Sequence, residues 1–155
     1  MVKYLQTEVV FEEIPTEITL AINITNCQNN CAGCHSPYLR EDIGTELTEA
    51  ELFNLIAKNN GITCVCFMGE GNDQEGLITL VQAVKTNFPD IKTALYSGRQ
   101  YVEGIMYDIF DYVKVGPYME DYGPLNNPKT NQRLYMCSGQ SITDITNKFW
   151  EKITL

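Results

Sequence analysis

The residues best suited to chemistry in this chain are Cys27, Cys31 and Cys34, spaced C-x3-C-x2-C. They follow the strand-like run Leu20-Ala21-Ile22-Asn23-Ile24. Cysteine thiolate is the usual protein ligand of iron–sulfur clusters, so three thiolates on one short loop can hold three irons of a cubane. The fourth iron of such a cluster would have no protein ligand. An open coordination position separates a catalytic metal site from a closed structural one. The spacing therefore points to a 4Fe–4S cluster that binds a small molecule and acts on it. The alternative is a zinc site, with His35, Cys64, Cys66 or Cys137 as fourth ligand. Zinc sites commonly pair two C-x2-C knuckles, and the sequence holds no second knuckle.

The elements around this loop read as an α/β domain. Leu5 to Phe11 and Ile18 to Ile24 alternate as strands, joined by a turn at Ile14-Pro15-Thr16, which predicts a short N-terminal hairpin. Thr48 and Glu51 have the spacing of a capping box ahead of the stripe Leu52, Leu55 and Ile56. Ile62 to Met68 is a nearly continuous apolar run, as in a strand buried on both faces. Cys64 and Cys66 lie two apart on it, face the same way, and read as core. A second helix carries Leu77, Leu80, Val81 and Val84, and is followed by strands over Ile91–Tyr96 and Tyr112–Val115 with a weaker helix between them. Tyr118 to Gln132 reads as a long loop, of a length that is usually functional or mobile. Leu134–Cys137 and Ile145–Ile153 read as a last strand and a C-terminal helix. The alternation of strand and helix argues for βα units. A closed eightfold barrel takes about 250 residues, so the 155 residues here predict one domain over 1–155, an open, incomplete (β/α) barrel with a mostly parallel curved sheet. Active groups should then lie at the C-terminal ends of the strands, where the cysteine loop and Gly69-Glu70 fall.

Composition excludes some roles. A net charge of -9 disfavours binding to nucleic acid, which needs a basic surface. Residues 1–8 lack the pattern of a signal peptide, and no apolar run nears the ~20 residues that span a bilayer. A cytoplasmic protein is expected. There, clustered cysteines bind metal or react rather than form disulfides.

A C-x3-C-x2-C loop after a first core strand, with Gly-Glu after the next, resembles the radical S-adenosylmethionine superfamily. Gly33 before the third cysteine, the stretch Val113-Lys114-Val115-Gly116-Pro117-Tyr118 and the triplet Asn131-Gln132-Arg133 are similar to the activating proteins of anaerobic ribonucleoside-triphosphate reductase. The resemblance runs from about Thr19 to Tyr135 and implies a 4Fe–4S cluster on Cys27, Cys31 and Cys34. It implies S-adenosylmethionine as second cofactor, cleaved reductively to a 5'-deoxyadenosyl radical, and a glycyl radical then made on a large partner, anaerobic (class III) ribonucleotide reductase. A one-electron donor such as flavodoxin or ferredoxin is implied too. By the same resemblance Gly33, Cys34 and His35 face the adenosyl part of the cofactor, and Gly69 and Glu70 face its methionine part. The family's second loop reads Gly-Gly-Glu or Gly-Gly-Asp, whereas this chain has Met68-Gly69-Glu70. Ser97, in Ser97-Gly98, matches a Thr/Ser-Gly that could touch ribose or carboxylate, and it also suits a turn or helix cap. The alternatives are an activase of another glycyl-radical enzyme, such as pyruvate formate-lyase, and a non-catalytic iron–sulfur or zinc module.

Overall fold

The structure is a computed structural model and describes residues 1–26, 37–139 and 141–150. One eight-stranded sheet organises it. In chain order its strands are β1 (Lys3–Val10), β2 (Thr19–Ile24), β3 (Thr45–Glu46), β4 (Cys64–Met68), β5 (Lys92–Tyr96), β6 (Tyr112–Val115), β7 (Arg133–Ser138) and β8 (Ser141–Asp144). The order across the sheet is β3-β1-β2-β4-β5-β6-β7-β8. The helices are α1 (Glu49–Lys58), α2 (Gln74–Asn87) and α3 (Gly104–Ile109).

This sheet overturns the expected mostly parallel (β/α) barrel. Pairs β1·β2, β1·β3, β6·β7 and β7·β8 are antiparallel, and only β2·β4, β4·β5 and β5·β6 are parallel. The sheet is mixed, with antiparallel pairs in the majority and few helices. The reason lies in the connections. A parallel partner needs a crossover, usually a helix, and α2 and α3 supply it for β5 and β6. Between β6 and β7 no helix intervenes, and the chain turns back on itself. The tail also differs from expectation: β8 forms at Ser141–Asp144, where no element was expected, and Thr146–Trp150, inside the predicted C-terminal helix, is a short 3-10 helix.

Two-residue alternation gives the sheet two packed faces. Leu20, Ile22, Ile24, Val65, Phe67, Leu95, Val113 and Val115 meet the buried stripes of α1, α2 and α3. Cys64, Cys66, Ala94, Tyr112 and Leu134 face the other way, where Ile14 and Ile145 cover them. Ile14 comes from the β1–β2 turn, which folds under the sheet. Tyr96 pins that turn through its hydroxyl, which donates to the Glu13 carbonyl. Tyr112 donates to Glu17 Oε1 at 3.1 Å.

Local chemistry explains the helix starts. The Thr48 side chain accepts the Glu51 N–H at 3.1 Å, which satisfies one orphan donor of α1. Glu51 turns its own carboxylate to the Tyr4 hydroxyl, at 2.8 Å, and so ties α1 to β1. Asp73 caps α2 in the same way, accepting from Gly76 N–H at 3.0 Å.

Candidate functional site

Cys27, Cys31, Gly33, Cys34 and His35 lie outside the described residues. The stem that carries them is described on both sides. Thr25 donates its backbone N–H to Lys3 O at 2.9 Å and its hydroxyl to Ile43 O at 2.8 Å. Asn26 donates its N–H to Glu41 O at 3.2 Å and its amide to Asp42 Oδ1 at 3.2 Å. Asn26 has φ 62, a left-handed conformation that Asn tolerates better than most residues. Thr25 and Asn26, which follow β2, are thus tied to residues 41–43.

Because β2, β4, β5 and β6 run parallel, their C-terminal ends share one end of the sheet. Gly69 and Glu70 follow β4 and so sit beside the end of β2. Gly69 has φ 109, which favours glycine, and its N–H donates to Tyr96 O at 2.8 Å. Gly71 has φ 66, and a Cβ there would stand 3.0 Å from Ile24 Cγ2 and 3.2 Å from Thr25 O. The loop after β4 can therefore press its backbone against the root of the cysteine segment only because it lacks side chains there.

Among the described residues, Glu70 is held by three bonds. Ser97 Oγ donates to its Oε2 at 2.6 Å, Arg99 Nε donates to Oε2 at 2.8 Å, and Arg99 Nη2 donates to Oε1 at 2.5 Å. Ser97 Oγ also accepts the Arg99 N–H at 3.1 Å, so its observed role is the turn. Arg99 reaches a second carboxylate, Glu103, through Nη1 at 3.1 Å and Nη2 at 2.7 Å. The bonds to Glu70 and then Glu103 hold the guanidinium even more firmly protonated than usual, and the bonds from Arg99 draw the Glu103 carboxyl below its ordinary range. A depressed carboxyl contributes stability above its unfolded value and loses it as pH falls through the folded one. NMR titration should place the Glu103 midpoint below that of free glutamate, and Arg99→Gln should raise it. An unchanged midpoint would contradict this pairing.

Lys114 completes the site. Its Nζ donates to Ser97 O at 3.2 Å and Gly116 O at 2.9 Å, and it stands 5.8 Å from the centre of the Tyr96 ring. A buried ammonium thereby ties the loops after β5 and β6 together, aided by the Gly116 N–H bond to Arg99 O at 2.7 Å. The loop that follows is stitched rather than loose: Thr130 Oγ1 donates to Gly123 O, Asn131 Nδ2 to Pro117 O, and Trp150 Nε1 to Leu125 O. Among the described residues, Asn131 Oδ1 is buried without a partner.

Reading the sequence placed Gly69, Glu70 and Ser97 at one end of the sheet, and the structure brings them together. It missed Arg99, Glu103 and Lys114. The signals existed: Arg99 and Glu103 are four apart, and Lys114 interrupts an apolar strand.

The donor set fits an iron–sulfur cluster at residues 27–34. Cys64, Cys66 and Cys137 are buried free thiols in the sheet, and burial pushes all three up, Cys137 to about 11. None is primed as a thiolate ligand. Among the described residues, no group of three or more His, Cys, Asp or Glu could hold a metal ion, and no helix is long and apolar enough to cross a membrane. Neither a curated protein nor a solved structure gives a significant match to the chain. A model of the 4Fe-4S single cluster domain does match, over residues 18–146, a span that includes the cysteine segment, Glu70, Arg99 and Lys114, and the chain belongs to that iron–sulfur family.

Proposed function

We propose that this iron–sulfur protein is a radical S-adenosylmethionine enzyme that activates anaerobic (class III) ribonucleotide reductase by making a glycyl radical on it. Cys27, Cys31 and Cys34 hold the 4Fe–4S cluster and leave one iron for the methionine end of S-adenosylmethionine. When bound and reduced by a donor such as flavodoxin or ferredoxin, that cluster supplies the one electron that splits the sulfonium into methionine and a 5'-deoxyadenosyl radical. The observation that carries this reading is the juxtaposition of Gly69-Glu70 with the end of β2, where the three-cysteine segment begins.

The chain's own residues then have defined tasks. Glu70 offers a fixed carboxylate to the ligand's amino group, a charge-assisted bond. Gly33, Cys34 and His35 line the adenosyl side. Lys114 fixes the carbonyls of Ser97 and Gly116, so that the rim keeps its shape when ligand enters. A carbon radical attacks any nearby C–H bond, so the site must exclude water and competitors. The partner's glycine segment supplies the missing wall, docking on residues 118–132, where Met119 and Tyr122 are exposed.

Anaerobic reconstitution with iron and sulfide, then dithionite and S-adenosylmethionine, tests the chemistry. Methionine and 5'-deoxyadenosine are expected in equal amounts. A colourless zinc protein, or a cluster inert to the cofactor, would overturn the proposal. With anaerobic ribonucleotide reductase added, a glycyl radical signal is expected on that protein. A signal on pyruvate formate-lyase alone would reassign the partner.

A further inference from the structure

We propose that Glu103 and Arg99 are positioning residues that keep Glu70 oriented and locally anionic for the amino group of S-adenosylmethionine. This rests on the function proposed above. Arg99 presents its planar fork to Glu70, with Nε on one oxygen and Nη2 on the other. Such a bidentate pair fixes a carboxylate in direction as well as place. The fork alone would work against the ligand. A guanidinium opposite Glu70 neutralises it, and an arriving ammonium would meet no net charge.

Glu103 resolves that conflict. It takes two bonds from the same guanidinium, through Nη1 and Nη2. Two carboxylates and one guanidinium carry a net charge of about -1 near neutral pH, which matches one ammonium. Without Glu103 the Glu70–Arg99 pair would be neutral and would offer the amino group no net attraction. The geometry leaves room for that group. A carboxylate has about four acceptor positions, and Ser97 and Arg99 use three on Glu70. Among the described residues, Oε1 accepts only from Arg99, which leaves an acceptor position for the ligand. Glu70 is the inner partner, with its side chain 12% exposed, while Glu103 is 46% exposed. The inner carboxylate is suited to the ligand, and the outer one to balancing charge through Arg99. Glu103 opens α3 four residues beyond Arg99, so the helix start is what puts it there.

The test is equilibrium dialysis of S-adenosylmethionine against the reconstituted protein with its cluster oxidised, so that no turnover intervenes. Glu103→Gln is expected to weaken binding about tenfold. The analogue whose amino group is replaced by hydrogen should bind wild type and Glu103→Gln alike. Because Glu103 is half-exposed, this variant keeps the fold. In an Arg99→Met background, Glu103→Gln should add little further loss, since its effect runs through the guanidinium. Arg99→Lys keeps the charge without the fork and should also bind less tightly than wild type. If Glu70→Gln weakens binding while Glu103→Gln does not, this inference is overturned and the proposed function stands. Equal losses for ligand and analogue would assign Glu103 a structural role and overturn the inference too. If the wild-type protein binds no S-adenosylmethionine, the functional proposal fails along with it.

Discussion

Cys31→Ala should leave the anaerobically reconstituted protein almost without iron, with retention at least about tenfold below wild type. Loss of an outer hydrogen-bond partner alone typically costs 10–100-fold in metal affinity, and here a ligand itself is removed. No cysteine elsewhere in the described residues is placed to substitute. Cys64 and Cys66 belong to the core on the sheet face away from the helices, and Cys137 to the core on the helix side. Burial raises each thiol, so each would have to ionise at a cost before it could bind. Cys66→Ala should accordingly keep full iron content and colour. Iron and sulfide analysis after desalting decides it. Full iron in Cys31→Ala, or loss of iron in Cys66→Ala, would show that the ligand set is wrong.

The second large effect is on stability. Phe67 is fully buried near the end of β4, among the side chains of the helix-bearing face. Its ring meets Phe110 edge to face, with centroids 6.2 Å apart and planes at 73°, a favoured aromatic geometry. Truncation to alanine removes the transfer energy and leaves a cavity that the flanking strands cannot collapse into. Phe67→Ala should cost about 3–5 kcal/mol, a large share of the roughly 5–15 kcal/mol that holds a domain together. For a chain of this size that corresponds to a Tm about 6–20 °C lower. Val9→Ala, at an exposed position of β1, should move stability by less than about 0.5 kcal/mol. Similar melting curves for the two variants would contradict the packing described.

The same residues show what a linear reading can reach. Phe67 sits in an apolar run that announces a buried strand, and Thr48 with Glu51 announces the start of α1; both signals are local and both elements form. Strand direction is not local. Nothing in Leu134–Cys137 says that it runs against β6, because that depends on how residues 116–132 turn. β8 was unreadable for another reason. Ser141, Ile142, Thr143 and Asp144 are all exposed, so no buried face writes an alternation into the sequence, and pairing with β7 alone makes the strand. β3 is two exposed residues held by β1.

The site divides in the same way. Spacing made the cysteine loop conspicuous, and a glycine beside a carboxylate after an apolar run marked Glu70. Arg99 gains meaning only when β5 lands beside β4 and brings its guanidinium onto Glu70. Lys114 reads as an oddity in a strand until its ammonium is seen clamping two loop carbonyls. Electrostatic partners that converge from separate loops leave no periodic trace in one dimension.

The central claim is that one iron of the cluster is free of protein ligands and accepts S-adenosylmethionine. Electron paramagnetic resonance of the dithionite-reduced protein, before and after adding S-adenosylmethionine, addresses it most directly. A reduced 4Fe–4S signal whose g values shift on addition is expected, because the ligand joins the coordination sphere. A spectrum unchanged by saturating S-adenosylmethionine, in protein with a full complement of iron, would contradict it.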